Sequence, residues 1–142
     1  MRLCGPGIWG WPADRENALR VLRRALELGL KFIDTADSYG PHVNEEQIAQ
    51  ALHPYPSGLV IATKGGLTRG GPGEWKRDCR PEHLQEACEG SLRRLRVDRI
   101  ESISCTRSIR RSRSKIRSER CASCAMQEKF GTSAFQMWTW TN

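Results

Sequence analysis

Three residues in the first half of this 142-residue chain could do chemistry together: Asp34, Tyr39 and Lys64. A carboxylate, a phenol and an ammonium are three of the four groups that a carbonyl-reducing site needs. The fourth does not arrive in the sequence that follows. Singly, each residue has an ordinary explanation, because turn-capping aspartates, tyrosines at rims and solvated lysines are common on protein surfaces. Their order, and their places at the ends of predicted strands, favour the joint reading.

The elements that must position them are legible over the first hundred residues. Asp14 can cap a helix whose apolar positions Ala18, Val21, Leu22, Ala25 and Leu26 recur at helical spacing, with Gly29 as its stop. The apolar pair Phe32-Ile33 after that glycine predicts a short strand over 31–34. Asn44 with Gln47 three residues on resembles a capping box, Val43 and Ile48 form a hydrophobic staple, and the helix they open should end near Leu52, before Pro54 and Pro56.

Leu59-Val-Ile-Ala-Thr63 is a near-continuous apolar, β-branched run, the mark of a strand buried on both faces of a parallel sheet, and Gly65 and Gly66 end it. Gly70, Gly71 and Gly73 fit no phosphate-cradling pattern and predict a flexible surface loop. Pro81 opens a third helix with Leu84, Ala87, Cys88, Ser91, Leu92 and Leu95 on one face. With residues 7–11 counted as the remnant of a first strand, strands and helices alternate, which predicts an α/β fold with a parallel sheet. Units of this kind carry their functional groups on the loops after the strands, where Asp34, Tyr39 and Lys64 all fall.

Charge divides the chain. Residues 1–100 hold 15 Lys/Arg against 13 Asp/Glu, or +2, whereas residues 101–142 hold 8 against 3, or +5, within a formal net charge of +7. The expected organisation is one domain over 1–100 and a basic, Ser/Arg-rich, unstructured tail over 101–142. No apolar run approaches the ~18–20 residues of a membrane helix and no apolar signal core opens the chain, so a soluble cytoplasmic protein is expected. The six cysteines are scattered, which argues against a disulfide framework. Cys121 and Cys124 form a CxxC pair without further ligands at matched spacing, so no metal site is expected.

Four stretches, Gly5-Pro-Gly-Ile-Trp-Gly10, Phe32-Ile-Asp-Thr-Ala-Asp-Ser-Tyr-Gly40, Ile61-Ala-Thr-Lys-Gly65, and Arg80-Pro-Glu-His-Leu with Ser91-Leu-Arg-Arg-Leu-Arg-Val-Asp98, together resemble the aldo-keto reductase family. The likeness covers about residues 5–100. It implies an N-terminal fragment of a (β/α)8 TIM barrel, about three βα units long. It also implies NADPH-dependent, less often NADH-dependent, reduction of a small aldehyde or ketone to an alcohol, with no membrane or nucleic-acid partner.

Family members use a tetrad of Asp, Tyr, Lys and His, and the first three carry over as Asp34, Tyr39 and Lys64. The resemblance further assigns cofactor contacts to Trp9 and Asp34, and substrate contacts to Trp9, Trp11 and Tyr39, with Ile8 where a polar residue is common. Rim packing is the alternative for both tryptophans. A hydride reaching a carbonyl carbon leaves charge on the oxygen, which needs a proton donor within reach. Tyr39 is the implied acid, Lys64 favours its phenolate, and Asp34 keeps Lys64 charged and oriented.

Beyond Ile100 the pattern is lost. A shifted reading frame in the gene is the expected cause: codons compatible with residues 101–142 can be chosen that, read two bases along, give an apolar strand with a histidine, an amphipathic helix and a further strand of the family's kind. The chain is then expected to be truncated and inactive, its third strand presenting a bare apolar edge. The rival reading takes the seven Arg/Lys between Arg107 and Arg120, interleaved with serines, as an arm that binds phosphate backbones in a nucleic-acid-binding protein without enzymatic activity. No nucleic-acid-binding fold precedes that arm.

Overall fold

A computed structural model describes residues 1–100 and 102–105. Two kinds of element alternate: helices α1 (Arg15–Glu27), α2 (Val43–Leu52) and α3 (Pro81–Leu95), and strands β1 (Phe32–Asp34), β2 (Val60–Gly65) and β5 (Ser102–Cys105), with a two-stranded pair β3 (Leu67–Thr68) and β4 (Lys76–Arg77) between β2 and α3. The larger sheet has the order β1-β2-β5 and is wholly parallel, with Ile33 opposite Ile61, Asp34 opposite Ala62 and Gly65 opposite Cys105. Parallel neighbours need a crossover, and α2 and α3 supply the two in this sheet.

Local sequence explains most of the boundaries. Asp14 caps α1 by accepting from the Asn17 N–H, and Gly29, at φ +87, takes the left-handed turn that ends it. Pro81 stands at the first turn of α3, where its missing N–H costs nothing. Leu22, Ile33, Ile48, Leu52, Ile61 and Leu95 form one buried cluster joining the three helices to the sheet. Burial of side chains of this size contributes roughly 1.5–3 kcal/mol each.

Residues 7–11 do not form a strand: positive φ at Gly7, Ile8 and Gly10 curls the segment after a 3₁₀ turn (Pro6–Ile8), and only Trp9 bridges to Gly40. The buried face of α1 includes Leu19, while Val21 is exposed. Asn44 does not cap α2. It lies inside the helix, because its side chain serves tertiary partners, accepting from the Leu3 N–H at 2.7 Å and donating to Met1 O at 3.0 Å and Thr35 Oγ1 at 2.7 Å.

The glycine-rich segment is organised as well. β3 and β4 pair antiparallel, Leu67 opposite Arg77 and Thr68 opposite Lys76, and hold the loop between them. The edge of β2 expected to be bare is paired over Ala62–Gly65 by β5, since even a short extended segment satisfies a strand's free N–H and C=O groups. The basic arm and the Cys121/Cys124 pair lie outside the described residues. No helix among the described residues is long and apolar enough to cross a membrane.

Candidate functional site

The parallel register brings the C-terminal ends of β1 and β2 to one mouth. Asp34 is the last residue of β1 and Lys64 the penultimate residue of β2. The Lys64 ammonium donates to the Asp34 carboxylate and, at 3.2 Å, to Thr35 O. The chain then turns back over the mouth: the Thr35 N–H donates to Ala62 O at 2.9 Å and the Asp37 N–H to Lys64 O at 3.1 Å. Five residues after Asp34, Tyr39 arrives with its ring centroid 5.8 Å from Lys64 Nζ. Asp34, Tyr39 and Lys64 are therefore neighbours in space.

Of the two tryptophans expected at the site, Trp9 and Trp11, the structure brings one to this mouth. Trp9 lies beside Gly40 through the bridge, with Gly10 N–H donating to Gly40 O at 2.7 Å and Gly40 N–H to Ile8 O at 3.3 Å. Trp11 is turned to the start of α1, where the Arg15 guanidinium lies 3.6 Å from its ring centroid. Arg2 adds a cation 6.0 Å from the Tyr39 ring, and the chain's amino terminus donates to Asp34 O.

Sequence reasoning passed over two residues that close the mouth from the hairpin side. The Trp75 ring meets Tyr39 edge-on, centroids 6.5 Å apart at 86°. Arg69 stacks on Trp75 at 3.6 Å and stands 5.5 Å from the Trp9 ring. The available signal was an arginine and a tryptophan bracketing Gly70-Gly71-Pro72-Gly73, an unusual pairing for a solvated loop.

Beneath the mouth lies a buried charged layer. The Glu45 side chain is fully buried, accepts from Arg94 Nε at 2.7 Å and from Thr63 Oγ1 at 2.6 Å, and ties α2 to α3 and β2. Asp37, 4% exposed, has one carboxyl oxygen without a partner among the described residues. Burial first, then the neighbouring Glu45 charge, pushes its carboxyl up to about 6. Among the described residues no three His, Cys, Asp or Glu side chains converge as metal ligands would.

A family profile described as "Aldo/keto reductase family" matches residues 4–121. An uncharacterized oxidoreductase of Schizosaccharomyces pombe is 50% identical over 101 residues, 71% of this chain and 33% of that protein. Pyridoxine 4-dehydrogenase of Escherichia coli is 45% identical over 104 residues, 73% of this chain and 36% of that protein. The chain thus spans about a third of the length of these curated relatives.

Among solved structures, the glycerol dehydrogenase of Gluconobacter oxydans superposes with a TM-score of 0.68 at 30% identity, over 87% of this chain and 39% of that one. The holo form of a Bacillus halodurans aldo-keto reductase gives 0.59 at 33% identity, over 72% and 35%. An aldo-keto reductase of Klebsiella pneumoniae solved in complex with NADPH, at 21% identity and a TM-score of 0.62 over 99% and 49%, shares the fold.

Proposed function

The chain belongs to the aldo/keto reductase family, and we propose that Asp34, Tyr39 and Lys64 are its proton-transfer set for reducing a small aldehyde or ketone to an alcohol with NADPH. The observation that carries this reading is the Lys64 ammonium, held by Asp34 and lying 5.8 Å from the Tyr39 ring at the mouth of the parallel sheet. As the carbonyl carbon gains a hydride, the C=O π pair moves to oxygen and the Tyr39 hydroxyl supplies the proton. The Lys64 charge stabilises the phenolate left behind, and Asp34 keeps that ammonium oriented.

The described residues fit the reactive end of a nicotinamide cofactor. The Asp34 side chain stays 46% exposed although paired, so its carboxylate keeps acceptor capacity for a second donor, and Trp9 offers a partly exposed ring beside the mouth. When bound, the nicotinamide supplies the hydride. Trp9 and Asp34 would hold it, and Trp9 and Tyr39 would face the substrate. Trp11, stacked with Arg15, is proposed as a substrate contact only at the outer rim.

We also propose that these 142 residues do not turn over substrate unaided. The family's fourth group is a histidine, and the three histidines of this chain fall on other elements than the ends of β1 and β2: His42 precedes α2, His53 follows it and stands edge-on to Tyr55 at 5.5 Å, and His83 lies on α3. A chimera tests both statements. Residues 5–100 of this chain replace the matching segment of the S. pombe oxidoreductase, and NADPH oxidation with benzaldehyde is followed. Where the unaltered oxidoreductase reduces benzaldehyde, the chimera should do so too and the 142-residue chain should not; a folded chimera that is inactive beside an active parent would overturn the assignment.

A further inference from the structure

Arg69 uses every donor it has. Its guanidinium carries five N–H groups in a rigid plane, and five backbone carbonyls receive them. Nε donates to Glu74 O at 2.8 Å, Nη1 to Ile8 O at 3.0 Å and Ser38 O at 3.1 Å, and Nη2 to Gly7 O at 2.9 Å and Gly71 O at 3.3 Å. Those carbonyls belong to three segments distant in sequence: the curled segment at Gly7–Ile8, the loop that carries Tyr39, and the loop between β3 and β4. One face of the same plane lies 3.6 Å from the Trp75 ring centroid. Among the described residues its partners are carbonyl oxygens and aromatic faces, with no carboxylate.

We propose that Arg69 is a positioning residue for Tyr39, a clamp that couples the hairpin loop to the loop carrying the phenol. Two restraints reach Tyr39 from it. One runs through the backbone: Ser38 O is gripped directly, and Ile8 O, which Arg69 also holds, accepts the Gly40 N–H, so both neighbours of Tyr39 are tied to one guanidinium. The other runs through the side chain: Arg69 fixes Trp75, whose ring meets Tyr39 edge-on.

The segments are also in direct contact. A Cβ at Gly7, whose φ is +65, would stand 3.2 Å from Pro72 Cβ, so the hairpin loop packs on the curled segment with little room to spare. A lysine cannot replace the clamp, because its three donors radiate from one point and it has no plane to stack. A proton donor has to be held within about 0.5 Å of its productive geometry to be effective, which gives such a clamp its use.

The clamp's functional meaning rests on Tyr39 as the proton donor, but its existence can be tested without that reading. Amide and aromatic NMR spectra of the full 142-residue chain are compared for wild type, Arg69→Lys, Arg69→Met and Trp75→Phe. Both Arg69 variants should move the amides of Ile8, Ser38, Tyr39 and Gly40, and the Tyr39 ring protons, by more than their line widths, with α1 resonances unchanged. Trp75→Phe should move the Tyr39 ring protons and leave the Ile8 and Ser38 amides in place.

Changes confined to residues 69–77, or an Arg69→Lys spectrum matching wild type at Ser38 and Tyr39, would overturn the proposal and leave Arg69 a local hairpin brace. In the chimera, Arg69→Lys should lower kcat at least tenfold. If the Tyr39 resonances move and turnover does not, Arg69 is a structural clamp without a positioning role in turnover, and Tyr39→Phe separately decides whether the phenol is the donor.

Discussion

The Lys64 ammonium donates to the Asp34 carboxylate across the ends of two paired strands, with side chains 23% and 46% exposed. An ion pair this open to solvent contributes about 0–1 kcal/mol to stability, so its value is the placement of a charge near Tyr39. Asp34→Asn should therefore shift the urea midpoint of the chain by no more than the equivalent of about 1 kcal/mol, while lowering turnover of the chimera at least tenfold. Equal loss of stability and turnover would make the pair structural.

Glu45 and Arg94 present the opposite case. Glu45 is fully buried and bonded to Arg94 Nε and Thr63 Oγ1, and removing one partner of such a pair strands a desolvated charge. Glu45→Gln should cost about 3–5 kcal/mol of unfolding free energy, read from urea titrations. Adding Arg94→Met should recover part of that loss, because the stranded guanidinium is then gone.

Asp37 sets a pH dependence with a definite sign. Its carboxyl is raised from 3.8 to about 6 in the folded chain, chiefly by burial, so the folded state holds the proton more tightly than the unfolded one. Stability should fall as pH rises through the window from about 4 to about 6, by about 3 kcal/mol for this group, and stay at the lower level above it. Asp37→Asn should flatten that slope and raise the urea midpoint at pH 8 relative to wild type. A variant that tracks wild type from pH 4 to 8 would show that Asp37 titrates normally.

Gly40 holds the turn directly after Tyr39. Its φ is +101, and a Cβ there would stand 2.5 Å from Val43 Cβ at the start of α2, so alanine meets both a disfavoured backbone and a clash. Gly40→Ala should cost more than about 1 kcal/mol and lower the thermal midpoint. In Gly29→Ala the added Cβ meets nothing within 4 Å, so that variant carries only the backbone penalty and should lower the midpoint less.

Tyr55 donates to Leu95 O at 2.6 Å where α3 ends, and burial pushes its phenol up to about 12. Tyr55→Phe leaves that terminal carbonyl without its donor and should cost about 1 kcal/mol. In an ultraviolet titration of the folded chain, the signal lost in Tyr55→Phe should be the one that appears only near pH 12. The folded state favours the neutral phenol, so this contribution to stability is present below about 10 and is lost as pH rises toward 12.

What the sequence revealed and what it hid follow from the range of the interactions involved. Asp14, Gly29 and Pro81 act within a turn of the backbone, and the helix ends they mark are where local rules place them. Val60-Ile61-Ala62 was legible as a strand because a buried parallel sheet demands runs of that composition, and Phe32-Ile33 because an apolar pair after the Gly29 stop is too short for a helix. Asn44 was misread as a cap because its partners, Leu3, Met1 and Thr35, are distant or on another element. Arg69 and Trp75 were missed for the same reason: each matters only once the hairpin folds over Tyr39. The Ser102–Cys105 strand was hidden because β2, rather than its own composition, makes it a strand.

The most direct test of the central claim is Tyr39→Phe in the chimera, which removes one hydroxyl and leaves the ring that Trp75 and Lys64 face. NADPH-dependent reduction of benzaldehyde should fall by about 100-fold or more, the scale of a lost general acid, with the urea midpoint unchanged. Turnover within a few-fold of the parent chimera, at the same stability, would show that Tyr39 does not deliver the proton.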